Sequence, residues 1–164
     1  VDLGTGTGAV ALAIASERPV WQVIAVDKGS EIVKLAERNR DNLGLNNVLC
    51  VVSDWCHNVP IYDFDLIVSN PPYVRSDDPH LVSGDVRFEP KSALVAGEDG
   101  LSDIRQIAEA AKDHLKQGGY LLLEHGWDQA GSVAAILAGQ GFGHILLHKD
   151  LAGHDRATLC QWLG

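Results

Sequence analysis

Apolar side chains fall along this chain in two rhythms. Short runs with little polar alternation occur at Val1–Leu3, Trp21–Asp27 (containing QVIAVD), Val48–Val52, Asp65–Ser69 (DLIVS) and Tyr120–Glu124. Such runs predict strands buried on both faces. Between them the apolar residues recur every three or four positions, the period of a helix with one buried face. Residues 7–17 carry a small-residue, Ala-rich pattern suited to a helix packed closely on a sheet. Ser30 is placed to cap a second helix, with Ile32, Leu35, Ala36 and Leu43 on one face and Gly44 past its end. Ser102 is placed to cap a third, with Ile104, Ile107, Ala108, Ala111 and Leu115 on one face and Gly118-Gly119 ending it. A fourth helix is predicted over residues 128–139. Two closing strands, near His144–Lys149 and Ala157–Trp162, are joined by a connection short enough for an antiparallel hairpin.

Strands alternating with helices imply an α/β fold, a mostly parallel sheet with helices on both faces. Ligands of such sheets sit beyond the carboxyl ends of the strands. Residues 70–99 break the alternation. They hold four prolines (Pro71, Pro72, Pro79, Pro90) and no periodicity. A long irregular segment in a compact domain is expected to be functional.

Composition narrows the possibilities. The 164 residues include no methionine, and Val1 falls inside a strand pattern, so a fragment or excised domain is expected. No apolar run reaches the roughly 18–20 residues needed to cross a bilayer. The 13 Lys+Arg against 22 Asp+Glu give a formal charge of −9, which disfavours non-specific binding to a phosphate backbone. Cys50, Cys56 and Cys160 are odd in number and contain no CxxC pair, so they read as reduced thiols of a cytosolic protein. His57 follows Cys56, but no second ligand pair at zinc spacing accompanies them, and no metal is expected.

The first candidate chemistry is the turn Asp2-Leu3-Gly4-Thr5-Gly6-Thr7-Gly8, which closes one strand and opens a helix. Its glycines let the backbone approach a ligand and adopt positive φ. The helix amides beyond them are hydrogen-bond donors. Asp27 ends the second strand, where a carboxylate can accept both hydroxyls of a ribose. Taken alone, turn and acid specify an adenosyl cofactor and leave NAD and S-adenosylmethionine both open. The D-x-G-x-G-x-G spacing from Asp2, with Asp54 and Trp55 after the third strand, favours the second. An acid there can accept an adenine amino group, and the indole can pack on the ring or serve as a core aromatic.

The second is Asn70-Pro71-Pro72-Tyr73, directly after the fourth strand. Two prolines fix φ and remove two amide donors, so the carbonyls around them are held without local competitors. With the Asn70 side-chain oxygen they form acceptors suited to a planar –NH2 group, and Tyr73 supplies a flat face for stacking. Asn70, Pro71, Pro72 and Tyr73 are therefore the candidate catalytic and substrate-binding residues.

VDLGTGTGAVALAIASERP, AVDKGSE, SDWC, IVSNPPYV, GDVRFEPKSALVAGEDG and LLLEHGW together resemble the catalytic domain of the peptide chain release factor glutamine methyltransferases (the PrmC/HemK family). The resemblance runs along essentially the whole chain. It implies a class I S-adenosylmethionine-dependent methyltransferase fold, Rossmann-like, with a seven-stranded, mostly parallel sheet and an antiparallel C-terminal hairpin. It implies methyl transfer from S-adenosyl-L-methionine to the glutamine amide of the GGQ motif of bacterial class 1 release factors, with S-adenosyl-L-homocysteine as product. Cofactor contacts are expected at Asp2, Gly4, Thr5, Gly6, Thr7, Gly8, Asp27, Asp54, Trp55 and Asn70. Residues 1–164 would form the catalytic domain, without the start of its first strand and without the family's N-terminal helical substrate-recognition domain. A cytoplasmic monomer without membrane or direct nucleic-acid contact is expected.

NPPY also occurs in enzymes that methylate exocyclic amines of nucleic-acid bases, and a sister family methylates a ribosomal-protein glutamine. Asp85-Val86-Arg87-Phe88-Glu89-Pro90 and His125-Gly126-Trp127 resemble the release factor enzymes more. Residues 70–110 carry eight acids and four bases, a poor match to a phosphate backbone. An ion pair between Arg87 and Glu89 could pin the loop. A non-catalytic cofactor-binding or NAD-binding module is a third reading, which gives NPPY no use.

Overall fold

The computed structural model describes residues 1–59, 63–79 and 93–164. Among these residues eleven elements follow one another: β1 (Asp2–Leu3), α1 (Ala9–Glu17), β2 (Val23–Asp27), α2 (Ser30–Leu43), β3 (Val48–Val52), β4 (Phe64–Ser69), α3 (Ser102–His114), β5 (Leu115–Glu124), α4 (Ala130–Gly139), β6 (Phe142–Lys149) and β7 (Asp155–Trp162). The strands form one seven-stranded sheet in the order β3-β2-β1-β4-β5-β7-β6. The pairs from β3 to β5 are parallel, and β7 runs antiparallel to both β5 and β6. The expected architecture, including the C-terminal hairpin, is the observed one.

The order reverses at β1. Chain connections leave β1 toward β2 on one side, and the chain returns to β4 on the other. The carboxyl ends of β1, β2 and β4 therefore converge on one crevice, the place where open α/β sheets bind ligands. Core packing holds these strand ends. Leu3, Val26, Ile67, Leu121 and Leu123 are fully buried against Ile104, Ile107 and Leu137 of the helices. Across the sheet, Ala11, Leu12 and Ala15 of α1 lie on Val23, Ala25 and Val48. The Ala-rich face permits this close approach. At the crevice the hydroxyl of Ser69 donates to the carbonyl of Leu3 at 2.7 Å, fastening the end of β4 to the end of β1.

Local readings differ from the structure in several places, among them the edge strand β3, whose Leu49 and Val52 are exposed although its apolar run predicts burial on both faces. The buried residues of α2 are Val33 and Ala36, whereas Ile32 and Leu43 are exposed. Ile32 lies one turn in, where the helix overhangs the crevice, so its apolar side chain serves a cavity instead of the core. Gly29 and Leu101, not Ser30 and Ser102, occupy the cap positions, and neither helix has a side-chain cap bond. The donors there are met otherwise: Asp27 Oδ1 accepts from Gly29 N–H, and Asp99 Oδ1 accepts from Leu101 N–H. Finally, α3 ends at His114 and Leu115 already belongs to β5. Gly118-Gly119 lies in an irregularity of that strand, between the pairs Phe64–Leu115 and Leu66–Tyr120.

β1 spans only two residues, and its neighbours run past it at their amino ends. Between them lies a slot of about 430 Å³ lined by Val1, Trp21, Val23, Phe64 and Leu66, among others. The Val1 amino group donates to the Leu66 carbonyl at 2.8 Å, as a strand amide would.

Candidate active site

The crevice at the carboxyl ends holds a cavity of about 340 Å³ lined by Gly4, Gly6, Asp27, Lys28, Gly29, Ile32, Ser53, Asp54, Trp55, Asn70, Pro72 and Ala93. It is smaller than the slot at the opposite end of the sheet, but the polar groups able to orient a ligand converge here. Turn residues after β1, β2, β3 and β4 all contribute to its wall.

The glycine turn is organised from behind. Gly4, Gly6 and Gly8 have φ of 73°, 58° and 88°, a region that side chains rarely enter. Asp2, 2% exposed, points away from the cavity: its Oδ2 accepts from the Thr5 hydroxyl at 2.6 Å and from Ala11 N–H at 3.1 Å. Burial raises the Asp2 pKa, opposed by these two hydrogen bonds. Thr5 is buried with it, and Gly8 is the cap residue of α1. Thr7 is exposed and gives its carbonyl to Asn39 Nδ2. Of the seven turn positions, Gly4 and Gly6 face the cavity; the others shape the turn.

Asp27 links the turn to α2. Oδ2 accepts from Gly6 N–H at 3.1 Å and Oδ1 from Gly29 N–H at 2.9 Å. Each oxygen keeps a lone pair, so two ribose hydroxyls can be accepted while the backbone bonds persist. Trp55 has φ of 44°, unusual for an aromatic residue. Its ring lies over Gly4, where a Cβ would come within 3.3 Å of the indole. The indole is half-buried, packs on the main core and also lines the cavity. Asp54 is exposed at the rim. Ser53 Oγ accepts from Asn58 N–H and steadies the loop that presents Asp54 and Trp55. Asp103, in the first turn of α3, has its pKa raised by burial, with Lys28 lowering and Asp54 raising it.

Asn70 and Pro72 form the other wall. The Asn70 side chain is exposed and makes no hydrogen bond among the described residues, and neither does the Pro71 carbonyl. Pro71 itself is fully buried and anchors the turn. Beyond it, Val74 N–H donates to Leu94 O, Ala96 N–H to Val74 O and Ser76 N–H to Gly97 O, so residues 74–76 are clamped to 94–97. Tyr73 stands outside the cavity lining and is half-buried. Its hydroxyl lies 3.5 Å from Glu124 Oε1 and 3.5 Å from Arg156 Nη1. Burial, then the Glu124 charge, pushes its pKa up, and Arg156 opposes them.

Asp85–Pro90, with the expected Arg87–Glu89 pair, lies outside the described residues. His125 is fully buried between the Gly126 carbonyl and the Thr158 hydroxyl, a structural place, while Trp127 is exposed. Sequence reading missed Lys28, Gly29, Ile32, Ser53 and Ala93 as cavity residues. For Ile32 the helical period is the same whether the side chain faces core or cavity, so spacing offers no signal.

Fold and site together define a methyltransferase domain. Residues 1–84 match the family described as methyltransferase small domain, and the chain belongs to it. It is 52% identical over 164 residues to the release factor glutamine methyltransferase of Shewanella oneidensis, covering 100% of this chain and 57% of that protein. With the enzyme of the same name from Pseudomonas aeruginosa it shares 57% identity over 162 residues, 99% of this chain and 59% of that protein. The chain thus spans less than two thirds of the length of these relatives. Among solved structures, a methyltransferase from Pyrococcus furiosus has a TM-score of 0.71 at 22% identity, covering 100% of this chain and 75% of that one. A SAM dependent methyltransferase from Aquifex aeolicus has 0.67 at 19% identity, covering 98% and 79%. These two likenesses concern the fold, a seven-stranded mixed sheet shared with S-adenosylmethionine-dependent enzymes.

Proposed function

We propose that this domain transfers a methyl group from S-adenosyl-L-methionine to the side-chain amide of the GGQ glutamine in class 1 peptide chain release factors. The observation that carries the reading is the Asn70 amide, without a hydrogen-bond partner among the described residues, on the wall of a cavity whose opposite wall is the glycine turn and Asp27. The names of the relatives that share about half of its residues support it.

The cavity residues fit the cofactor. Asp27 would accept ribose hydroxyls, Asp54 an adenine amino group, and Trp55 with Ile32 would enclose the ring. Gly4 and Gly6 would admit the amino-acid portion close to the backbone. When bound, S-adenosylmethionine supplies an electrophilic sulfonium methyl group.

The chain's own contribution is to the nitrogen. An amide nitrogen is a weak nucleophile because its lone pair is delocalised into the carbonyl. Asn70 Oδ1 and the Pro71 carbonyl would each accept one of its N–H groups, fixing the amide plane and aiming the nitrogen. Holding reactants in line contributes up to roughly 7–11 kcal/mol in favourable cases. The same acceptors offset positive charge growing on the nitrogen. The proton leaves to solvent after the N–C bond forms, so no strong base is required. Tyr73 would flank the amide with its ring.

The acidic surface fits a protein substrate acting in the cytoplasm better than a nucleic acid. The protein is proposed to act as a monomer and without a membrane; no helix among the described residues is long and apolar enough to cross one.

The test is incubation of the full-length enzyme with labelled S-adenosylmethionine and release factor, with the GGQ glutamine changed to alanine as control. Label is expected in the wild-type factor only. Label persisting in the control, or appearing only in nucleic acid, overturns the reading.

A further inference from the structure

We infer that Gln129 is a positioning residue for the Asn70–Tyr73 turn, its side-chain amide tying the Tyr73 carbonyl to two neighbouring segments. The inference rests on the reading of that turn as the amide-binding element.

Gln129 occupies the cap position of α4, yet its side chain makes no cap bond and is 4% exposed. It is turned inward instead. Nε2 donates to the Tyr73 carbonyl at 2.9 Å and lies 3.4 Å from the carbonyls of Asp99 and Gly100. Oε1 accepts from Gly126 N–H at 2.8 Å. One buried amide therefore joins the turn after β4, the approach to α3 and the turn after β5.

The need for such a tie follows from the sequence of the turn. Pro71 and Pro72 have no N–H, and the Asn70 and Pro71 acceptors must stay unpaired to receive a substrate. Tyr73 is the first residue past the prolines whose carbonyl can be fastened without consuming those acceptors. The three segments also meet at a distance that only glycine allows. Gly100 has φ of 72°, and a Cβ there would collide with the Tyr73 carbonyl and come within 2.8 Å of Gln129 Nε2. Asp99 holds the approach in place, pairing with Arg105 through both carboxylate oxygens and accepting from Leu101 N–H. The Tyr73 hydroxyl contacts at 3.5 Å are too long to fix the turn.

Two substitutions in the full-length enzyme test this. Gln129→Met removes both ends of the tie. Gln129→Glu keeps an acceptor for Gly126 N–H but turns a carboxylate oxygen toward three carbonyls. Both are expected to lower kcat on release factor roughly 10–100-fold, the scale of an ångström-level misplacement. The KM for S-adenosylmethionine should stay within about threefold, because Gln129 does not line the cavity and this KM reports ground-state binding. Amide exchange at Val74 and Ser76, which needs no substrate, should accelerate in both variants. If wild-type enzyme methylates no GGQ protein, the functional reading fails, and exchange alone still decides the tie. Folded variants with kcat within about twofold of wild type, or with unchanged exchange, overturn the inference. So does Gln129→Glu behaving as wild type, which would leave Gly126 as the contact that matters. Should neither variant fold, the residue is structural and the positioning role is rejected.

Discussion

The carboxylate of Asp2, the first residue of β1, substitutes for a side-chain cap on α1: its Oδ2 accepts the backbone N–H of Ala11, the third residue of that helix, at 3.1 Å. The cap position itself is Gly8, which has no side chain to offer. The same oxygen holds the Thr5 hydroxyl, so one buried group sets the strand end, the turn and the helix start.

Asp2→Ala is expected to destabilise the domain by roughly 1–3 kcal/mol, the cost of a lost cap and an orphaned buried hydroxyl. Asp2→Asn keeps an acceptor for both donors and should lose much less. Wild type and Asp2→Asn also separate in pH. Burial raises the Asp2 pKa in the fold above its ordinary 3.8, so the native state holds the proton over a window in which the unfolded chain releases it. This group's contribution is therefore present below 3.8 and declines as pH rises through the folded value. Denaturant titrations across that window should show the decline in wild type and not in Asp2→Asn.

Asp99 produces the opposite slope. Its hydrogen bonds to Arg105 and to Leu101 N–H lower its pKa to about 2 from 3.8. Stability from this pair is present above 3.8 and lost as pH falls toward 2. The carboxylate is solvent-exposed, so the amplitude is small and shrinks with added salt. Arg105→Ala should flatten this acid limb, which unfolding curves measured at low and high salt would report.

Asp27→Ala should weaken S-adenosylmethionine binding by about 1.5–3 kcal/mol for each charge-assisted bond to the ribose that is lost. Because the same carboxylate accepts from Gly6 and Gly29 N–H, some of the loss comes from loosening of both walls. Calorimetry of cofactor binding measures the sum. Asp27→Asn, which keeps one acceptor oxygen and gains a donor, should fall between wild type and Asp27→Ala. Unchanged affinity in the alanine variant would remove Asp27 from the site.

Asn70→Ala should lower kcat by roughly 10²–10³-fold, the usual loss when one preorganised polar group at the reacting centre is removed. Cofactor affinity should change much less, since Asp27, Trp55 and the glycine turn are untouched. Single-turnover methylation and equilibrium binding separate the two effects. Near-normal turnover would exclude the acceptor mechanism.

Much of this was legible from the residues in order. The alternation of buried runs and amphipathic stretches produces the observed succession of strands and helices. Gly44 closes α2 as its position predicts, with Leu45 N–H returning to the Arg40 carbonyl. The glycine turn and Asn70-Pro71-Pro72-Tyr73 stand out because their backbone requirements are written in residue type. The failures were those of neighbourhood. Ile32 is apolar at helical spacing, and spacing alone cannot tell a core face from a cavity wall. Leu115 fits the stripe of α3 and also begins β5, where pairing with Phe64 decides. Gln129 shows no pattern, because its partners lie 56, 30, 29 and 3 positions away.

The linear chain thus determined by itself the succession of elements, the turn chemistry and the presence of acceptors suited to an amide, since these depend on local backbone preference and hydrophobic period. Only the tertiary structure decided which turn residues face the cavity and which support it from behind. It alone turned Asp2 into a helix cap, Ile32 into a cavity wall and Gln129 into a tie between three segments. Those roles follow from desolvation: a buried polar group must find partners wherever the packed chain brings them, and sequence distance carries no record of that meeting.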